Sequence, residues 1–397
     1  MFLPQSEHAL VIHDDDRGMS SIYEYDLATQ AEVRAVYVPD SGGVDATIVS
    51  RDGASLLGVS TSALKGRVHW FDPKLAELQS QLDKAVPNAT VSIESMSEDR
   101  TRMLIRTSSP DTPGSIYFYS TDSGKMQRIA YANDLIGARH LAPVTVVAYK
   151  ARDDLDVEAL LTLPVGRDPH NLPLVVMPHG GPWAQDTLEY DYWQQFLANR
   201  GYAVLQPNFR GSTGYGTEFL RKGDGQLGIA MQDDITDGVK WTIARGIVDP
   251  ARVCIIGASY GGYAAMWGIA KDPDLYRCAS SIAGVSSLKR EVNDFAYDMQ
   301  AGKFSDAWKR MTPDFDAVSP INAVERIKTP LLLIHGKKDV TVPSVHSSNM
   351  YDRLNKARKN VDLLLLPLAD HYFTRQDDRV ALLDAMEKFL TKYNAAE

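Results

Sequence analysis

The chain has 397 residues, 44% of them apolar and 23% charged, with a net charge of −9 at neutral pH. That length suits two or three domains with sizeable cores, and that composition excludes a disordered, collagen-like or coiled-coil chain. Acidic residues outnumber basic ones and no basic run occurs, so the electrostatic footprint of a nucleic-acid partner is missing.

The N-terminus, MFLPQSEHALVIHDDD, has neither a basic flank nor a continuous apolar core, and so does not read as a secretion signal. Residues 1 to about 145 read as short β segments punctuated by Gly, Asp, Ser and Pro, with helical periodicity only around Leu75 to Leu82. Within them SIYEYDLAT at 21 to 29 is echoed by RVHWFDPKL at 67 to 75 and SIYFYSTDSG at 115 to 124. Asp26 and Asp72 lie 46 residues apart, and Phe71 and Tyr119 lie 48 apart. A repeat of that length in short strands is the mark of propeller blades, and an ordinary β-sandwich is the alternative. Three blades do not close a ring. Either a longer parent has further N-terminal blades or a second subunit covers the open edge, and a homo-oligomer is expected.

After residue 145 apolar runs alternate with segments of helical length, the pattern of an α/β domain over 146 to 397. The runs are Leu174 to Met177, Ala203 to Leu205, Val253 to Ile256, Ala279 to Ala283, Leu331 to Ile334 and Leu363 to Leu366. Their continuity predicts parallel strands covered on both faces. Helices are predicted at about 187 to 200, 233 to 245, 260 to 271, 344 to 358 and 376 to 394. The last has Val380, Leu383, Met386, Leu390 and Tyr393 on one face. The two cysteines, Cys254 and Cys278, make no disulfide framework and no zinc spacing, and are expected as small apolar residues in buried strands. No apolar run approaches the ~18 residues that a membrane-spanning helix needs.

The chemistry concentrates at strand ends. Gly257-Ala258-Ser259-Tyr260-Gly261 is a GxSxG turn between a predicted strand and a predicted helix, a nucleophile elbow that would hold Ser259 above the sheet at a helix N-terminus. A serine hydroxyl needs a base, and the base needs a carboxylate to orient it. Downstream, Asp339 follows the 331 to 334 run and His371 follows the 363 to 366 run, in the chain order Ser, acid, His of α/β-hydrolases. Asp339 is assigned as orienting acid and His371 as base. Asp370 and His335 are the competing acid and base, and each lacks a partner on the expected strand. The ring of His335 is expected to bond backbone near its strand end. The oxyanion donors are expected at the backbone N–H groups of Tyr260 and of Gly181, the latter in the turn His179-Gly180-Gly181-Pro182.

Taken together, HGGP at 179 to 182, NFRGSTGYG at 208 to 216, GASYGGY at 257 to 263, HGKKDVTVP at 335 to 343 and DHYF at 370 to 373 resemble the prolyl oligopeptidase family of serine peptidases. The likeness is to its acylaminoacyl-peptidase and dipeptidyl-peptidase branch. The resemblance implies a C-terminal α/β-hydrolase domain at 146 to 397, preceded at 1 to 145 by the end of the family's N-terminal propeller. It places Ser259, Asp339 and His371 on the triad and Tyr260 and Gly181 on the oxyanion donors. It also implies a primary specificity pocket offered by Val285, Leu288, Phe295 and Val342 with Tyr263 nearby, a lining that suits an apolar side chain. Arg210 reads as structural, pairing with a carboxylate to hold a loop near the site. Two departures stand out: Tyr372 follows the histidine where many relatives have glycine, and the shortened propeller offers no acid pair for a substrate amino terminus.

The implied activity is hydrolysis of acylaminoacyl or dipeptidyl bonds in short peptides, with a carboxylesterase on short-chain esters as the alternative. No metal or organic cofactor, nucleic acid or membrane is called for. The cytoplasm is the expected location, with the periplasm or secretion the alternative for a longer precursor.

Overall fold

A computed structural model of the chain describes residues 1–4, 6–136, 139, 141–295 and 301–396, the side chains of 294, 295 and 301–305 excepted. The chain divides into two compact units. One comprises Met1–Val144 with Thr187–Gln195 and Thr213–Glu218, and the other Thr145–Asp186, Phe196–Ser212 and Phe219–Glu397.

The first unit holds three antiparallel sheets. They are β1 (His8–Asp14), β2 (Ser20–Asp26) and β3 (Ala31–Tyr37); β4 (Val44–Val49), β5 (Leu56–Thr61) and β6 (Val68–Trp70); and β7 (Thr90–Met96), β8 (Arg102–Ser109), β9 (Thr112–Ser120) and β10 (Lys125–Tyr131). The three repeated segments cover β2, β6 and β9. In the first and third sheets one more strand follows. In the second, α1 (Pro73–Ala85) follows instead, started by Pro73 and by the Asp72 carboxylate, which accepts the N–H groups of Lys74 and Leu75 at 3.0 and 3.1 Å. Its Leu75, Leu78 and Leu82 pack with Trp70 of the second sheet and Val91, Met103 and Ile105 of the third. Ile22, Val44 and Val59 join the first sheet to the second. Sheets stacked in series are blades of an incomplete propeller, and the two-layer sandwich is set aside.

The second unit is built on an eight-stranded sheet. Its strands are β11 (Val144–Lys150), β12 (Asp156–Thr162), β13 (Leu172–Val176), β14 (Ala203–Pro207), β15 (Val248–Ala258), β16 (Cys278–Ile282), β17 (Leu331–Gly336) and β18 (Val361–Leu366), in the order β11-β12-β14-β13-β15-β16-β17-β18. From β14 onward the neighbours pair parallel, and every residue of β13, β14, β16 and β17 is buried, which is why their sequences lack polar alternation. The helices after α1 are α2 (Tyr192–Asn199) and α3 (Thr217–Arg221), which begin in segments grouped with the first unit, and then α4 (Ala230–Ala244), α5 (Tyr260–Lys271), α6 (Leu288–Phe295), α7 (Ala301–Met311), α8 (Val345–Lys356) and α9 (Gln376–Tyr393) of the second. This is the α/β-hydrolase fold. On α9 the buried face is Leu382, Met386, Phe389 and Leu390, whereas Val380 is exposed, so the expected stripe is corrected by about one position.

Arg210 has the structural role expected of it. Its guanidinium donates to both carboxylate oxygens of buried Asp234 on α4 at 2.7 and 2.8 Å and to Asp153 at 2.8 Å, fixing the loop after β14. Among the described residues no helix is long and apolar enough to cross a membrane.

The cysteines depart from expectation. Cys254 and Cys278 face each other in the β15–β16 register, with Cα atoms 4.7 Å apart, and form a disulfide. Parallel register brought together two residues 24 apart in sequence, which spacing alone does not reveal. Unfolding the protein without reductant should therefore expose no thiol to a chromogenic titrant, and unfolding after reduction should expose both. Free thiols in the unreduced protein would contradict the bridge.

Candidate active site

The candidate residues lie where parallel strands end. His179 to Gly181 follow β13, Ser259 follows β15, Asp339 follows β17 and His371 follows β18, all at the carboxyl edge where open α/β sheets carry their sites.

Ser259 joins β15 directly to α5 with φ 57° and ψ −119°, a left-handed conformation costly for a residue with a side chain. Its neighbours explain why the turn needs glycine. A Cβ on Gly257 would lie 2.5 Å from the Gly261 carbonyl carbon, and one on Gly261 would lie 2.2 Å from the Pro178 oxygen. The Ser259 N–H is spent on the Ile282 carbonyl at 2.9 Å. The N–H of Tyr260 opens α5 and has no intrahelical acceptor. Beside it runs the Gly180–Gly181 turn, where a Cβ on Gly180 would meet the Ser259 Cβ at 3.5 Å and Gly181 has φ 114°. Among the described residues neither the Tyr260 nor the Gly181 amide has an acceptor, so both are free to bind an oxyanion.

His179 stiffens this turn from beneath. Its buried ring stacks on Phe209 at 4.3 Å, with its nitrogens 2.7 Å from the Gly180 oxygen and 2.8 Å from the Ser212 hydroxyl. Burial pulls its pKa down to about 4, partly offset by the Gly180 carbonyl.

Asp339 and His371 are brought together. The His371 Nδ1–H donates to Asp339 Oδ2 at 2.7 Å, leaving Nε2 as the basic nitrogen. Asp339 Oδ1 accepts the N–H groups of Thr341 and Val342 at 2.9 and 2.8 Å. Burial works against its charge, but His335, His371 and the Val342 amide together hold its carboxyl well below the usual range. His335 does bond backbone, through Nε2 to the Val342 carbonyl at 2.8 Å, and the same nitrogen lies 3.3 Å from Asp339 Oδ2. That second contact had no signal in the sequence, because it depends on how the loop folds back over β17. Asp370 is spent elsewhere, accepting from the Thr374 amide and hydroxyl at 3.0 and 2.7 Å. Tyr372 is exposed and meets the His371 ring edge-on, with centroids 5.3 Å apart.

The expected pocket residues are placed less evenly. Val285, Leu288 and Val342 are buried, on the segment after β16 and the loop after β17. Tyr263 is buried too, with its hydroxyl donated to the Val318 carbonyl at 3.0 Å. The Phe295 side chain lies outside the described residues. Among the described residues no group of three or more His, Cys, Asp or Glu side chains could hold a metal ion.

His179 gives this site a pH signature. A histidine whose folded pKa lies below its ordinary 6.5 opposes folding when protonated, so stability present at neutral pH is lost as pH falls from 6.5 toward 4. The full displacement is worth about 3 kcal/mol. Urea unfolding at pH 7 and pH 4.5 should show a smaller loss in His179→Gln than in the parent protein. An equal loss in both would remove His179 as its source.

Residues 188–396 match the prolyl oligopeptidase family. The chain is 30% identical over 394 residues to dipeptidyl aminopeptidase BIII of Pseudoxanthomonas mexicana, a match covering 95% of this chain and 57% of that protein. It is 28% identical over 295 residues to the acylamino-acid-releasing enzyme of Mus musculus, covering 69% of this chain and 40% of that one. Among solved structures, a puromycin-hydrolyzing peptidase of Mycobacterium tuberculosis superposes with a TM-score of 0.80 at 23% identity, over 98% of this chain and 61% of the other. An acylaminoacyl peptidase of Pyrococcus horikoshii superposes with a TM-score of 0.75 at 19% identity, over 98% and 62%. The chain thus spans roughly two fifths to three fifths of the length of these relatives. With the family matched over more than half its length and the elbow, acid loop and histidine loop in family order, the chain belongs to the prolyl oligopeptidase family.

Proposed function

We propose that this chain is a serine peptidase acting on short peptides, cleaving acylaminoacyl or dipeptidyl bonds through an acyl-enzyme on Ser259. The observation that carries the reading is the Asp339–His371 hydrogen bond at 2.7 Å, on loops at the same carboxyl edge of the sheet as a serine held in a strained strand-to-helix elbow. His371 Nε2 takes the hydroxyl proton as Ser259 Oγ attacks the carbonyl carbon. The carbonyl oxygen becomes an oxyanion that accepts the N–H groups of Tyr260 and Gly181. As the carbon–nitrogen bond breaks, His371 gives the proton to the departing amine. Water then attacks the acyl ester with His371 again as base, and the acid leaves with Ser259 restored. Asp339 orients the imidazole and stabilises its transient positive charge.

The division near residue 145 assigns this chemistry to residues 146 to 397 and a shortened propeller to 1 to 145. For assembly we infer a homo-oligomer, supported by Val11, Ile12, Val33, Leu104 and Phe118 standing exposed on the sheets of the first unit. A monomeric mass by light scattering would overturn it. For location, the expectation from the sequence, which implied no disulfide, is the cytoplasm. The Cys254–Cys278 bridge favours the alternative, an oxidising compartment such as the periplasm.

The test of activity is kcat/KM on matched anilides and nitrophenyl esters carrying N-acylated and free aminoacyl or dipeptidyl groups. Anilides should be cleaved, and Ser259→Ala and Asp339→Asn should each lower the rate by about four orders of magnitude. Turnover of esters alone would support the carboxylesterase reading, and parental activity in Ser259→Ala would overturn both.

A further inference from the structure

The two segments expected to wall the substrate pocket also carry a pair of buried polar groups that the proposed mechanism does not use. On one wall, Leu288 opens α6 and Glu291 lies one turn further on, on the same helical face. On the other, Val342 ends the acid loop and His346 lies in the first turn of α8. The two walls meet where Glu291 Oε2 lies 3.2 Å from His346 Nε2. Glu291 is 3% exposed and His346 is 1% exposed. The wall segment also sits against the nucleophile's own helix, since a Cβ on Gly262 would lie 2.8 Å from the Gly284 Cα, one residue before Val285.

The protonation of this pair is set by the backbone. His346 Nδ1 faces the N–H groups of Ser286 at 3.2 Å and Ser287 at 3.4 Å, so it must be an acceptor and carries no proton. The ring proton is then on Nε2, toward Glu291, and the ring is neutral. The contact has the distance of an ion pair without a second charge. Among the described residues no Lys or Arg reaches Glu291, and its Oε2 has no well-aligned hydrogen bond. A carboxylate so buried is costly unless a cation meets it. His335 and Ser347, bonded to each other at 2.7 Å, link the start of α8 to Asp339, which His335 approaches at 3.3 Å.

The geometry points to Glu291 as the anionic floor of the substrate pocket, with His346 as the residue that positions it. The ligand is a substrate cation: a Lys or Arg side chain before the cleaved bond, its alkyl stem along Val285, Leu288 and Val342 and its charged head at Glu291. The same floor could instead take the α-ammonium of a free amino terminus. This inference rests on the peptidase reading and narrows its substrate class from apolar to cationic.

The experiment compares N-acetyl-lysine, N-acetyl-norleucine and free-amino norleucine anilides on the full chain. Norleucine keeps the stem and drops the ammonium. The parent protein should favour lysine over norleucine in kcat/KM by at least about tenfold, the worth of one charge-assisted hydrogen bond. Glu291→Gln should bring that ratio near one, Glu291→Asp should restore part of it, and n-pentylammonium should compete with substrate in the parent protein better than n-pentanol. If Glu291→Gln instead collapses the advantage of free-amino over acetylated norleucine, the floor is anionic and its ligand is the substrate's amino terminus. A parent protein that cleaves norleucine anilides with no preference for either cation overturns the inference and leaves the peptidase reading intact, as does a Glu291→Gln variant that slows every substrate alike. Failure of every anilide in the parent protein overturns the peptidase reading itself.

Discussion

The candidate site depends on the backbone turn that ends β15. Ser259 adopts a left-handed conformation that costs about 1–3 kcal/mol and persists only where surrounding structure over-determines it. Here the over-determination is packing. Gly261 lies so close to the Pro178 carbonyl that no side chain fits, which presses the α5 turn against the strand end leading into His179 to Gly181. One close approach thereby fixes both the proposed nucleophile and the proposed oxyanion donors. The fully buried parallel strands beneath supply the rigidity.

Around this turn the charges are arranged unequally. Asp339 is buried yet well supplied with donors: two backbone amides on one oxygen, and His371 with a second contact from His335 on the other. Its charge is satisfied within the protein, as suits a group that orients a base and stays ionised. Glu291 is buried, and among the described residues its ion-pair-distance partner is the His346 ring, which accepts from backbone on its other nitrogen. The two carboxylates thus differ in how fully donors surround them, and the second is the one proposed to meet a substrate cation. His335 and His346 differ in parallel, since the first donates to backbone and acid while the second accepts from backbone.

Much of this was legible in the sequence because parallel strands and tight turns leave local marks. The six apolar runs fell on β13 to β18, since strands buried on both faces cannot carry polar alternation. Ser259 and its glycines were legible because the elbow tolerates no Cβ at its flanks. Asp339 and His371 were legible from their positions just after such runs. What escaped depended on register and on loop folding. The Cys254–Cys278 bridge needed the β15–β16 pairing, and the Glu291–His346 contact needed two segments more than fifty residues apart to meet. β11 and β12 escaped because polar residues such as Thr145, Lys150, Asp156 and Glu158 interrupt their apolar pattern. The α9 stripe was misplaced because Leu382 and Phe389, rather than Val380 and Leu383, face the core.

The central claim is that Ser259 is a nucleophile made reactive by His371. The most direct measurement is covalent: incubation with a fluorophosphonate, then peptide mass spectrometry to locate and count the adduct. The account predicts one adduct per chain on Ser259, formed rapidly in the parent protein and slowed by orders of magnitude in His371→Ala. An unlabelled Ser259, or labelling at the same rate without His371, would contradict it.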